Sequence, residues 1–124
     1  MKTKRELVTD TLRHMGVTAV FNSPAGNDYE FVADAYDVLH AELTDDGLCY
    51  WANTNHDTAE IPLAVSGALI SILGDQVAGV YGLEMPNEMD DDGRQISAGV
   101  AGRRRIRKHI MKRPSGEATE FSSY

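Results

Sequence analysis

The side chains able to do chemistry are few in this chain, and they are scattered. His14, His40, His56 and His109 stand far apart, and none pairs with another histidine or with the single cysteine, Cys49, at a metal-ligand spacing. No metal and no cofactor is expected. "NHD" at 55–57 has the form of a general base with a carboxylate behind it, but polar loops produce such triplets by chance. "DDDG" at 90–93 begins like a calcium loop; the glutamate required eleven positions after Asp90 is Ala101, which removes that site. The acids are better explained as favouring the positive end of a helix dipole. With neither a phosphate-binding glycine pattern nor a nucleophile elbow, no catalytic residue is assigned and the chain is not read as an enzyme.

What remains is charge. "RRRIRKHIMKR", residues 103–113, holds seven Lys or Arg and no carboxylate. Residues 1–92 carry four basic and 17 acidic groups, a balance of −13; residues 93–113 carry eight basic groups and no acid; residues 114–124 add −2, giving the net −7. Such a split points to two ends that face different partners, or to a basic end that meets another copy's acidic surface.

The elements that position these groups follow from the pattern. A length of 124 residues suits one domain with a single modest core. Thr3 and Glu6 have the capping-box spacing; Leu7, Val8, Leu12 and Met15 follow, and Gly16 ends a first helix over residues 4–15. After the turn residues "FNSPAGND", Asn27 or Asp28 is expected to cap a second helix with the stripe Phe31, Val32, Ala35, Val38, Leu39 and Leu43, ending before Gly47. Residues 48–60 are a long loop with room for a short strand, in which Cys49, Tyr50 and Trp51 anchor the loop to the helices.

A third, strongly apolar helix is expected from Pro62 to about Tyr81, with Val65, Leu69, Ile72 and Leu73 on one face. A row of Gly67, Ser71, Gly74 and Ala78 lies on another face, where a second helix is expected to approach closely. The fourth helix is expected to follow "NEMDDDG" and run to about Lys112. The fold class is all-α: a four-helix domain over residues 1–112, a long loop between helices 2 and 3, and a polar C-terminal arm over 113–124. The apolar stretch from Ile61 to Leu73 is interrupted by Gly74 and Asp75, short of the ~20 residues of a membrane span. "MKTKREL" lacks the apolar core of a signal peptide, and one cysteine permits no intrachain disulfide, so a soluble intracellular protein is expected.

Two blocks resemble a known family. "KTKRELVTDTLRHMGV" is similar to the opening of the head-to-tail connector (adaptor) proteins, or tail accessory factors, of P22-like tailed phages; the matching residues are Lys2-Thr3-Lys4, Leu7-Val8, Leu12-Arg13 and Gly16-Val17. "FVADAYDVLHAELTDDGL" resembles that family's second helix, with Asp34, Ala41-Glu42 and the Asp46-Gly47-Leu48 turn. The last 40 residues match only in kind, a basic helix followed by a Pro/Ser/Gly tail. The resemblance implies an adaptor that forms a ring of twelve copies below the portal, extends the DNA channel and offers a platform to tail proteins. Its place would be the head–tail junction of the virion, and the host cytoplasm during assembly. It also implies that the C-terminal segment grips the portal.

Helical phase assigns the basic residues. At ~100° per residue, Ile96, Val100, Ile106, Ile110 and Met111 form one stripe, with Arg103 and Arg107 inside it. Arginine in an apolar face is costly unless paired, and its fork suits carboxylates at an interface. The expected portal or subunit interface is therefore Arg103, Ile106, Arg107 and Ile110, joined by Arg113, Phe121 and Tyr124 of the arm. Arg104, Arg105 and Lys108 form the outward basic face, exposed to channel DNA that passes without specific recognition. The other function class is a small helical DNA-binding or regulatory protein that uses residues 103–113 on phosphates.

Overall fold

The computed structural model describes residues 1–112. Arg113, Phe121, Tyr124 and the rest of the arm lie outside the described residues. The fold is all-α: α1 (Lys4–Met15), α2 (Gly26–Asp45), α3 (Leu63–Val77), continued by a 3-10 turn over Ala78–Tyr81, and α4 (Ala98–Lys112). Two short antiparallel strand pairs stitch it. β1 (Lys2–Thr3) pairs with β2 (Ala59–Ile61), and β3 (Glu88–Met89) pairs with β4 (Gln95–Ile96).

α1 forms where its caps dictate. The Thr3 hydroxyl accepts from the Glu6 N–H at 3.0 Å, and the Glu6 carboxylate accepts from the Thr3 N–H at 2.9 Å. Those bonds hold the Glu6 carboxyl below its ordinary range. At the other end Gly16 is left-handed (φ 82°), and Val17 donates to the Leu12 carbonyl.

α3 is the core's centre, packed by α1, α2 and α4. Its Val65, Leu69, Ile72 and Leu73 are buried as the pattern predicts, against Leu7, Val8 and Leu12 of α1 and Val32, Leu39 and Leu43 of α2. With its 3-10 extension, Leu63–Tyr81 is long and apolar enough to cross a membrane, longer than the sequence pattern suggests. Its packing on three sides is that of a core helix. Trp51 anchors the 48–60 loop as expected: its indole N–H donates to the Tyr36 hydroxyl at 3.0 Å, and its carbonyl bonds the His40 ring at 2.8 Å. Burial pushes the Tyr36 phenol up to about 12.

Four expectations are corrected. α2 begins at Gly26 with Ala25 in the cap position, ahead of Asn27 and Asp28; the Asn27 side chain accepts from the Asp28 N–H instead. Its buried face includes Ala33 and Tyr36, whereas Phe31 and Val38 are exposed. The acid-rich segment is not the cap of α4 but a hairpin turn. The Asp90 carboxylate accepts from the N–H groups of Asp92 and Arg94, and Gly93 takes the left-handed φ of 80° that the turn needs. The helix starts later, with the Ser97 hydroxyl accepting from the Val100 N–H at 3.2 Å.

The close helix contact is also elsewhere. Gly67 faces open space, and Gly74 faces the Met85 side chain rather than a helix backbone. It is Gly102 of α4 that meets α3: a Cβ there would lie 2.6 Å from both the Ala68 carbonyl oxygen and the Ile72 side chain. Ala98, Ala101 and Gly102 thus give α4 its buried face, together with Ile106.

Candidate functional site

α4 was expected to bury Ile96, Val100, Ile106, Ile110 and Met111 together. Ile106 is fully buried and Ile110 packs partly against the core, but Val100 (43% exposed) and Met111 (79% exposed) point away, and Ile96 belongs to β4. The helix is rotated relative to that expectation because its small residues, not its large ones, fit against α3. Periodicity weighted by side-chain size missed them; "AGVAG" at 98–102 was the available signal.

This rotation redistributes the basic groups. Arg103, on the flank of the helix, reaches the C-terminal end of α2 in its own chain, with Glu42 at 3.4 Å and Asp46 at 4.0 Å. Arg107 is exposed and makes no ion pair among the described residues. The two arginines therefore do not act as one inward pair. The trio expected to face outward is engaged by the acidic hairpin. Arg105 bonds Glu88 at 2.5 Å and the Ser71 hydroxyl at 2.9 Å, Lys108 bonds Asp91 at 3.0 Å, and Arg104 lies 3.7 Å from Asp90. The hairpin carboxylates were missed as partners because their run of acids resembled a helix cap. The Asp-Gly dipeptide between "EM" and "QI" was the hairpin signal.

On the far side of α4 from its buried face run Val100, Arg104, Arg107 and Met111, at helical spacings of four, three and four. α2 has a corresponding outward stripe: Glu30, Asp34, Val38, Ala41 and Asp45, all exposed. Glu30, Asp34 and Asp45 make no ion pair among the described residues. One helix thus presents carboxylates beside an apolar residue, and the other presents guanidiniums beside apolar residues.

The remaining chemistry-bearing groups do structural work. The Asn55 side-chain oxygen accepts from the N–H groups of Asp57 and Thr58, which closes a turn. Asp57 binds Arg5 at 2.8 Å, and that hydrogen bond holds its carboxyl below the ordinary range. His56 bonds the Tyr29 hydroxyl at 2.7 Å, and the Cys49 thiol donates to the Trp51 carbonyl. Tyr50 meets His109 at 2.9 Å, joining the loop to α4. Among the described residues no three His, Cys, Asp or Glu gather around a metal position. A groove beside α1 holds Lys2, Arg5 and Arg13, but Glu6, Asp10 and Glu30 share it. Lys2 is bonded to Asp10, Arg5 to Asp57, and Arg13 to the Asn22 carbonyl, so the groove presents no surplus of positive charge.

No protein-family model matches this chain, and no curated protein matches it.

Proposed function

We propose that this chain is a head-to-tail adaptor of a tailed phage, assembling as a ring below the portal, extending the DNA channel, completing the head and carrying the tail proteins. The observation that carries the proposal is that both resembling blocks end where a helix ends. "KTKRELVTDTLRHMGV" spans β1, α1 and its Gly16 cap, and "FVADAYDVLHAELTDDGL" begins five residues inside α2 and runs through the end of the helix and its Gly47 turn. A resemblance that stops at helix ends is stronger than the same letters spread across them.

Supporting it, the four histidines and the cysteine have structural partners or isolated positions, while Glu30, Asp34 and Asp45 on α2 and Arg107 on α4 are exposed and make no ion pair among the described residues. In this proposal Arg107, with Ile110 and the end of α4, forms part of the interface toward a portal or a neighbouring copy, and Arg113, Phe121 and Tyr124 continue it. Arg103 contributes indirectly, by fixing α4 against Glu42 and Asp46. DNA passes the ring without specific contacts. The DNA-binding alternative is weakened by the hairpin, whose carboxylates occupy Arg105 and Lys108 before any phosphate arrives.

Co-sedimentation of the full chain with a P22-like dodecameric portal tests the proposal. Saturable pelleting with the portal is expected. Absence of pelleting at any concentration, together with tight duplex DNA binding, would transfer the function to the alternative.

A further inference from the structure

Two exposed helix faces match: the carboxylates Glu30, Asp34 and Asp45 of α2 make no ion pair among the described residues, and on α4 Arg107 makes none there while the half-exposed Arg104 has only a 3.7 Å pair with Asp90. On α2, Asp34 sits about one turn and Glu30 about two turns from Val38, which is 59% exposed. On α4, Arg104 and Arg107 sit between Val100 and Met111, each about one turn away. We propose that the outward face of α2 in one copy binds the outward face of α4 in the next, a head-to-tail contact between copies of this chain.

The occupant follows from charge and connectivity. Each stripe lies opposite its own helix's buried face, so both point away from the core and cannot meet within one molecule. α4 packs on α3 and touches α2 through the Arg103 bridge to Glu42 and Asp46, near the far end of α2 from Glu30 and Asp34. A second copy presents a charge complement at both places. The acidic stripe accepts two guanidiniums, for which paired carboxylates are the natural receptor, while Val38 gains an apolar neighbour from Val100 or Met111. Because the surfaces differ, the contact is heterologous, and each added copy exposes the same pair of faces again. Such contacts close into rings when the rotation per copy divides a full turn. This inference rests on the ring reading above and names the surfaces that would build it.

The test uses the full chain and two charge-swapped variants, Glu30→Lys/Asp34→Lys and Arg104→Glu/Arg107→Glu, each checked for helicity by circular dichroism. Sedimentation velocity over a concentration series should show wild-type association that weakens as salt rises. Each variant alone should associate at least tenfold more weakly. Mixing the two variants, or combining all four substitutions in one chain, should restore association, because the reversed charges again oppose each other. Unchanged association of the single-face variants, or no restoration in the mixture and the combined chain, would overturn the pairing. A wild-type chain that stays monomeric throughout would overturn it as well. Portal docking separates this failure from that of the adaptor reading. If wild type and Arg104→Glu/Arg107→Glu dock equally as rings, the adaptor role stands and this pairing falls.

Discussion

Lys4 shows how much one residue's surroundings matter. Its side chain is only 9% exposed, and its ammonium bonds the Asp37 carboxylate, which also accepts from Asn53 at 2.8 Å. Burial pushes the Asp37 carboxyl up, but the hydrogen bonds from Lys4 and Asn53 outweigh it and hold the carboxyl below its ordinary range. A depressed carboxyl contributes stability that is present above its unfolded value, near pH 4, and lost as pH falls through the folded one. Asp37→Asn should therefore cost about 1–2 kcal/mol at neutral pH, less than a fully buried pair because Asp37 is half exposed. The gap between variant and wild type in urea melts should narrow below about pH 4. A gap that stays constant across pH would mean that the pair contributes through packing alone. Nothing in the sequence announced this bond: residues 4 and 37 meet only because α1 lies along α2. The Thr3–Glu6 cap, by contrast, was legible because both partners lie within one turn.

At the scale of elements, the helices were legible and the rotations of α2 and α4 were not. The helix-ending Gly16 and Gly47 and the apolar run of α3 placed the elements, but the buried faces of α2 and α4 were drawn through their largest apolar side chains. Phe31, Val38, Val100 and Met111 are outside; on α4, Ala98, Ala101 and Gly102 are inside because close approach to α3 selects small residues, and on α2 Ala33 and Tyr36 are buried instead. A glycine pair tests this. Gly102→Ala should lower the melting temperature, since the clash with the Ala68 carbonyl costs about 1–3 kcal/mol, more than the gain in helix propensity. Gly67→Ala, with nothing within 4 Å, should raise stability by about 0.5–1 kcal/mol. Equal effects in thermal melts would contradict the packing of α4 on α3.

The β3–β4 hairpin has its own test. Neutralising Glu88→Gln and Asp91→Asn releases Arg105 and Lys108. Folding stability should change by less than about 1 kcal/mol, the usual worth of exposed pairs. Affinity for duplex DNA at low salt should rise severalfold, with a steeper fall as salt is added. Unchanged DNA affinity would show that the hairpin does not screen the helix.

For the whole molecule, the charge split acquires a physical form. Among the acids of residues 1–92, those of the hairpin hold Arg104, Arg105 and Lys108 within the chain, and Glu30, Asp34 and Asp45 on the outer face of α2 make no ion pair among the described residues. Composition pointed to two ends with different partners or to a basic end on another copy's acidic surface; it could not say which charges would meet inside one copy, because that depends on a hairpin turn and a helix rotation. The arm belongs to the same scale. Deleting residues 114–124 should leave a chain of unchanged helicity that no longer docks stably on a portal, and normal docking would remove the arm from the interface. The adaptor proposal itself is tested most directly by the mass of the purified full chain with and without a P22-like dodecameric portal, measured by sedimentation or native mass spectrometry. The account predicts a complex heavier than the portal by one adaptor copy per portal subunit. A portal of unaltered mass, with the chain left free as a monomer, would contradict it.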